Sequence, residues 1–173
     1  IHSLFRYAAR THPYHADRIA RVLAIPPKRF DRAVIAYLTE DEVDALLAAC
    51  DAGTWTGRRD HALLLLAAQT GLRISELLAL TPDDVHLGAG PHVACHGKGR
   101  KDRITPLTQA TVTVLRAWIA ELGADPGAPL FPSRRGTRLS RDAIERRLAH
   151  YTTQASSASP SLRGKTVTAH VLR

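Results

Sequence analysis

Three separated segments of this 173-residue chain carry side chains whose types and spacing could do chemistry. They are Thr70-Gly71-Leu72-Arg73-Ile74-Ser75-Glu76-Leu77, the polar run Gly97-Lys98-Gly99-Arg100-Lys101-Asp102, and Thr168-Ala169-His170-Val171-Leu172-Arg173. Between them they offer guanidiniums, an ammonium and an imidazole. Guanidiniums make directional, charge-assisted hydrogen bonds to phosphate oxygens, whereas an ammonium or imidazole can also move a proton. His170 stands three residues before Arg173, and Glu76 three after Arg73, so each pair shares a face if its segment is helical. More familiar chemistries do not fit. Gly88 and Gly90 lack the spaced third glycine of a dinucleotide fingerprint, and Gly97-Lys98 lacks the earlier glycine and following Ser/Thr of a P-loop. His92, Cys95 and His96 include neighbours that point to opposite faces of a strand, with no evident fourth ligand, so no metal site is expected. No serine lies in a nucleophile-elbow sequence.

The charge is polarised. The chain holds 24 Lys and Arg against 16 Asp and Glu, a formal +8. Residues 96–173 alone hold 14 basic and 5 acidic groups. Either a polyanionic partner exploits this half through counterion release, or it is a solvated basic surface that reflects an Arg-rich codon preference. No apolar run approaches the roughly 20 residues that span a bilayer, so neither a membrane nor, from the motifs, a small-molecule substrate is expected as partner. Cys50 and Cys95 make no disulfide framework, and the N-terminus lacks a secretory pattern, which together predict a cytoplasmic setting. The absence of methionine and the first residue, Ile1, predict a piece of a longer chain.

The elements that must position the three segments follow from local signals. Residues 1–21 read as two short helical runs broken at His12-Pro13, and Pro26, Pro27, Lys28 and Arg29 punctuate a linker over 22–37. Thr39 and Glu42 form a capping box flanked by Leu38 and Val43 at the staple positions, which predicts a helix over 40–50. Asp60 to Gln69 is nearly all Ala and Leu, so it should be the buried central helix, closed by Gly71. A short helix follows from Ser75 to Leu78. Pro91–His96 and Arg103–Leu107 flank the Lys98 tip as a β-hairpin. Thr108 and Ser140 cap two further helices, to about Leu122 and Thr152, and a Ser/Ala-rich loop precedes Pro160. The fold class is therefore mainly α with a small antiparallel β-hairpin or sheet, not a doubly wound parallel sheet.

On these residues the chain resembles the tyrosine recombinase, or phage integrase, family of DNA breaking and rejoining enzymes. Thr70–Leu77 resembles that family's first catalytic-arginine box, GKGRKDRITPL its catalytic-lysine hairpin, and HVLR the start of its His-x-x-Arg box. The resemblance covers roughly residues 38–173 and implies an incomplete catalytic domain of that fold, with 1–21 as the tail of the helical core-binding domain and 22–37 as the interdomain linker. It implies double-stranded DNA as partner, a parent that acts as a tetramer on paired sites, and chemistry through a 3′-phosphotyrosyl intermediate without metal or cofactor. By the same resemblance, Arg73 and Arg173 hold the scissile phosphate and stabilise the charge that develops on its nonbridging oxygens. Lys98 protonates the leaving 5′ oxygen or contacts the DNA backbone. His170 hydrogen-bonds the phosphate or acts as a base. Glu76 orients Arg73, and Arg100, Lys101 and Arg103 contact the DNA backbone.

The family's nucleophile is a tyrosine downstream of the HVLR box. Tyr7, Tyr14, Tyr37 and Tyr151 all precede His170. None matches the nucleophile's place, and in-line attack on phosphorus tolerates no arbitrary substitute. The expectation is a DNA-binding fragment of a site-specific recombinase that cannot cleave alone, with Tyr151 the first to be implicated if it did. A non-catalytic DNA-binding modulator, or the remnant of a decayed mobile-element gene, is the alternative.

Overall fold

The computed structural model describes residues 2–26, 37–96, 102–123, 125, 127–169 and 171. Lys98, Arg100, Lys101, His170 and Arg173 lie outside the described residues. The chain divides into two compact units, Ile1–Val34 and Ile35–Arg173. In the first, α1 (His2–Thr11) ends where Pro13, lacking a backbone N–H, opens a single 3₁₀ turn (Pro13–His15), and α2 (Ala16–Leu23) packs back against α1. Most of the expected linker, residues 27–36, is outside the described residues.

The second unit is mainly helical with one small sheet, α+β as its sequence implies. Its first helix, α3 (Glu40–Ala48), starts at the capping box: Glu42 N–H donates to Thr39 Oγ1 at 3.3 Å and Thr39 N–H to Glu42 Oε2 at 2.9 Å. The central helix, α4 (Trp55–Thr70), begins five residues earlier than its Ala/Leu run, because Thr54 caps it by accepting the Gly57 N–H at 3.0 Å. Gly57 is required there, since a Cβ would overlap the Asp51 carbonyl. The early start brings Arg59 and Asp60 into the interior, so α4 is not apolar on every side as its sequence implies. It ends at Gly71, whose φ of 59° is the left-handed conformation that glycine adopts without a Cβ penalty.

After α5 (Ile74–Ala79) come three antiparallel strands in chain order, β1 (Val85–His86), β2 (His92–His96) and β3 (Asp102–Pro106). The two-residue β1 has too little alternation to be read from sequence. Val93 and Cys95 are buried, while Ile104, paired with Ala94, is exposed. Cys95 pairs with Arg103, so these two share a face. Next, α6 (Gln109–Leu122) and α7 (Arg141–Ala155) start at caps made by Thr108 and Ser140. The latter helix extends three residues into the Ser/Ala-rich stretch expected as loop. One core joins Leu63 and Leu66 of α4, Leu77 of α5, Val93 of β2, Leu115 and Trp118 of α6, Leu130, and Leu148 of α7.

Candidate functional site

Arg73 is placed by two anchors on either side of it. Gly71 turns the chain out of α4, and Leu72 is buried, so the next residue emerges at the surface as the N-cap of α5. Three residues on, Glu76 folds back. Its Oε2 accepts the Arg73 backbone N–H at 2.9 Å, and its Oε1 accepts the Arg73 Nη1 hydrogen bond at 2.8 Å. The Arg73 side chain remains 62% exposed while that of Glu76 is only 15% exposed. A held guanidinium with free N–H donors facing outward is an anion-binding arrangement.

The same carboxylate reaches a second cation. Arg103 Nη2 of β3 lies 3.5 Å from Glu76 Oε2, an ion pair longer than the Arg73 contact. Burial pushes the Glu76 carboxyl upward, but the Arg73 N–H, the Arg73 guanidinium and the Arg103 charge outweigh it and hold the group below its ordinary value. Glu76 therefore stays ionised near neutrality and fixes two guanidiniums from different elements. Its spacing to Arg73 is readable from sequence; its contact with Arg103 requires the sheet register, which turns Arg103 toward the Cys95 face.

Two buried polar clusters support this surface, and neither stands out in the sequence. Asp60 is the hub of the first. Its Oδ1 accepts from Arg59 Nε at 2.9 Å and Nη2 at 2.7 Å, and its Oδ2 from Arg147 Nη1 at 2.6 Å and Tyr151 Oη at 2.7 Å. Arg59 also donates through Nη1 to the Pro132 carbonyl at 2.7 Å, and its guanidinium lies 5.3 Å from the Trp55 ring centroid. Arg147 and Tyr151 are four apart on α7, which is the one sequence signal that they meet a shared partner. Burial, reinforced by the hydrogen bond to Asp60, pushes the Tyr151 phenol well above its ordinary value. Tyr151 is thus buried, committed to Asp60 and hard to ionise, the reverse of what a nucleophile needs.

Glu42 centres the second cluster. Fully buried, it accepts from Ser161 Oγ at 2.6 Å and from Lys165 Nζ at 2.7 and 2.8 Å, in addition to the Thr39 N–H. Lys165 also donates to the Tyr37 carbonyl at 3.2 Å. Hydrogen bonds from Lys165, Ser161 and Thr39 hold the Glu42 carboxyl at about 2 despite its burial. This clip joins the start of α3 to the 3₁₀ turn Pro160–Leu162 and the chain that leads toward Thr168. Both cysteines are buried; burial pushes Cys50 up to about 12 and Cys95 upward as well, so neither is a reactive thiol. On the sheet, His92 Nδ1 lies 2.8 Å from the Gly90 carbonyl, and the His86 and His92 rings pack with centroids 4.5 Å apart.

Comparison with known proteins agrees with this arrangement. The putative integrase/recombinase y4rC of Sinorhizobium fredii is 54% identical over 173 residues, all of this chain and 52% of that protein. The tyrosine recombinase XerC of Neisseria meningitidis is 38% identical over 161 residues, 92% of this chain and 50% of that protein. The chain thus spans about half the length of these relatives. Among solved structures, the XerA recombinase superposes with a TM-score of 0.66 at 30% identity, covering 87% of this chain and 50% of that one. A XerH site-specific recombinase bound to its difH substrate has the same fold, with a TM-score of 0.69 at 22% identity over 87% of this chain and 44% of that one. Residues 36–173, which include Arg73, Glu76 and Arg103, match the phage integrase family, and the chain belongs to that family.

Proposed function

We propose that this chain supplies the phosphate-binding part of a site-specific tyrosine recombinase acting on double-stranded DNA. The observation that carries the proposal is Arg73, held at its base by Glu76 and open to solvent at its other donors. In this reading Arg73 and Arg173 clamp the scissile phosphate and stabilise the charge that accumulates on its nonbridging oxygens. Lys98 protonates the leaving 5′ oxygen, and His170 completes the phosphate contacts. Arg100, Lys101 and Arg103 hold the flanking backbone, with Arg103 also bound to Glu76. Residues 38–173 form the catalytic segment, 1–21 belong to a core-binding domain and 22–37 link the two. The parent enzyme works as a tetramer on paired sites and needs neither metal nor cofactor.

The tyrosine that attacks phosphorus lies downstream of Arg173 in the family pattern, so the 173-residue polypeptide binds DNA without cleaving it. The test uses a chimera in which this segment is followed by a family C-terminus bearing that tyrosine, incubated with a nicked suicide substrate. Arg73→Ala should lower covalent adduct formation by several orders of magnitude while DNA binding changes little. Near-normal adduct formation would remove Arg73 from the phosphate. The unextended chain should trap no adduct at all.

A further inference from the structure

A second cluster of guanidiniums lies at the opposite end of α5 from Arg73. The segment Pro132–Arg138 closes as a tight turn: Pro132 and Arg138 bridge, Ser133 N–H donates to the Thr137 carbonyl at 2.6 Å, and Gly136 N–H to the Ser133 carbonyl at 2.9 Å. The two hydroxyls of Ser133 and Thr137 meet at 2.9 Å, and Gly136 supplies the positive φ of 77° that the turn requires. Its base is fixed to the core. Buried Arg59 donates to the Pro132 carbonyl, Trp118 Nε1 to the Leu130 carbonyl at 2.8 Å, and Leu130 N–H to the Leu80 carbonyl at 2.8 Å, while Leu130 and Phe131 are buried.

This braced turn exposes Arg134, Arg135 and Arg138. Among the described residues none of the three has a carboxylate at salt-bridge distance, unlike Arg58, Arg59, Arg73, Arg103 and Arg147. Their only side-chain contacts are long and neutral: Arg134 Nε to Thr56 Oγ1 at 3.4 Å and Arg138 Nη2 to the Ala79 carbonyl at 3.5 Å. Three uncompensated guanidiniums on one rigid turn repel one another, a cost that binding an anion would relieve.

We propose that the Pro132–Arg138 turn is a second DNA-backbone site, in which Arg134, Arg135 and Arg138 hold phosphates distinct from the one bound by Arg73. The assignment rests on the recombinase reading above. The spacing follows from α5: Arg138 touches Ala79, the last residue of the helix that Arg73 caps. Six residues at 1.5 Å each separate the two ends by about 9 Å. Phosphates on one strand advance about 3.4 Å along the duplex axis per nucleotide, so the turn meets the backbone about two or three nucleotides from the Arg73 phosphate. Arg59 then gains a purpose beyond its own ion pair, since it braces the turn from within.

The experiment measures binding of the 173-residue chain to a 30-base-pair duplex of arbitrary sequence by fluorescence anisotropy across a salt series. Each phosphate neutralised contributes about 0.9 to the slope of log K against log salt concentration. The triple variant R134A/R135A/R138A should flatten the slope by about 2 to 3, and R135A alone by about 1, which decides the matter if the triple variant folds poorly. Adding R73A to the triple variant should flatten it by about one unit more, because the phosphates are different. A triple variant that folds normally and loses less than one unit overturns the site, and so does a folded R135A with an unchanged slope. A quadruple variant no flatter than the triple, when R73A alone costs a unit, overturns the claim of separate phosphates. Failure of the recombinase reading looks different: the unaltered chain would show no salt-dependent binding, or R73A would leave the slope untouched while the turn variants change it.

Discussion

Replacing Glu42 by Gln removes one negative charge from the clip that joins α3 to the C-terminal segment, with almost no change in shape. The carboxyl stands at about 2 in the folded chain against 4.5 for the free group. At about 1.4 kcal/mol per pH unit, ionised Glu42 contributes about 3 kcal/mol at neutral pH. That agrees with the roughly 3 to 5 kcal/mol lost when one partner of a buried ion pair is deleted, here leaving Lys165 without its counter-charge. The folded-state value is depressed, so this stability is fully present above pH 4.5 and is lost as the pH falls toward 2, because the unfolded chain takes up a proton that the folded chain refuses. Urea unfolding of both proteins between pH 7 and pH 3 checks it. With a urea dependence of about 2 kcal/mol per molar, the midpoints should differ by about 1.5 M at pH 7 and by about half of that at pH 3. A gap that stays constant over this range would show that the carboxylate charge is not its source. A gap below about 0.5 M at pH 7 would show that desolvation of the pair cancels its attraction.

The remaining outcomes are simpler. Tyr151→Phe deletes one donor to the Asp60 carboxylate and should cost about 2 kcal/mol, lowering the melting midpoint by about 4 to 8 °C, while DNA affinity at fixed salt stays unchanged; a loss of affinity without a loss of stability would return Tyr151 to the functional site. Gly57→Val forces a side chain onto the Asp51 carbonyl, and a calorimetric midpoint within 2 °C of the original would show that the Thr54 cap of α4 is not built as described.

Much of the architecture is legible in the residues because its signals are local. The Thr39–Glu42 box, the Gly71 stop, the Thr108 and Ser140 caps and the hairpin strands each depend on neighbours within a few positions, and each appears where those neighbours put it. The Arg73–Glu76 pair is legible for the same reason, since three residues of separation bring two side chains together at a helix start. The start of α4 was less so. The Ala/Leu run marks where the helix is buried, but Thr54 and the Gly57 contact with Asp51 decide where it begins.

What the sequence by itself determined is therefore the family, the mainly helical class with one small sheet, and Arg73 with Glu76 as a unit. Tertiary structure alone decided the long-range polar contacts. Asp60 gathers Arg147 and Tyr151 from 87 and 91 residues away, Glu42 finds Lys165 across 123, and Glu76 reaches Arg103 only because the sheet register turns that side chain inward. Such pairings carry no local signal, because a charged residue looks the same in sequence whether it faces water or a buried partner. Only packing removes the water, and with it the freedom of these groups to remain apart.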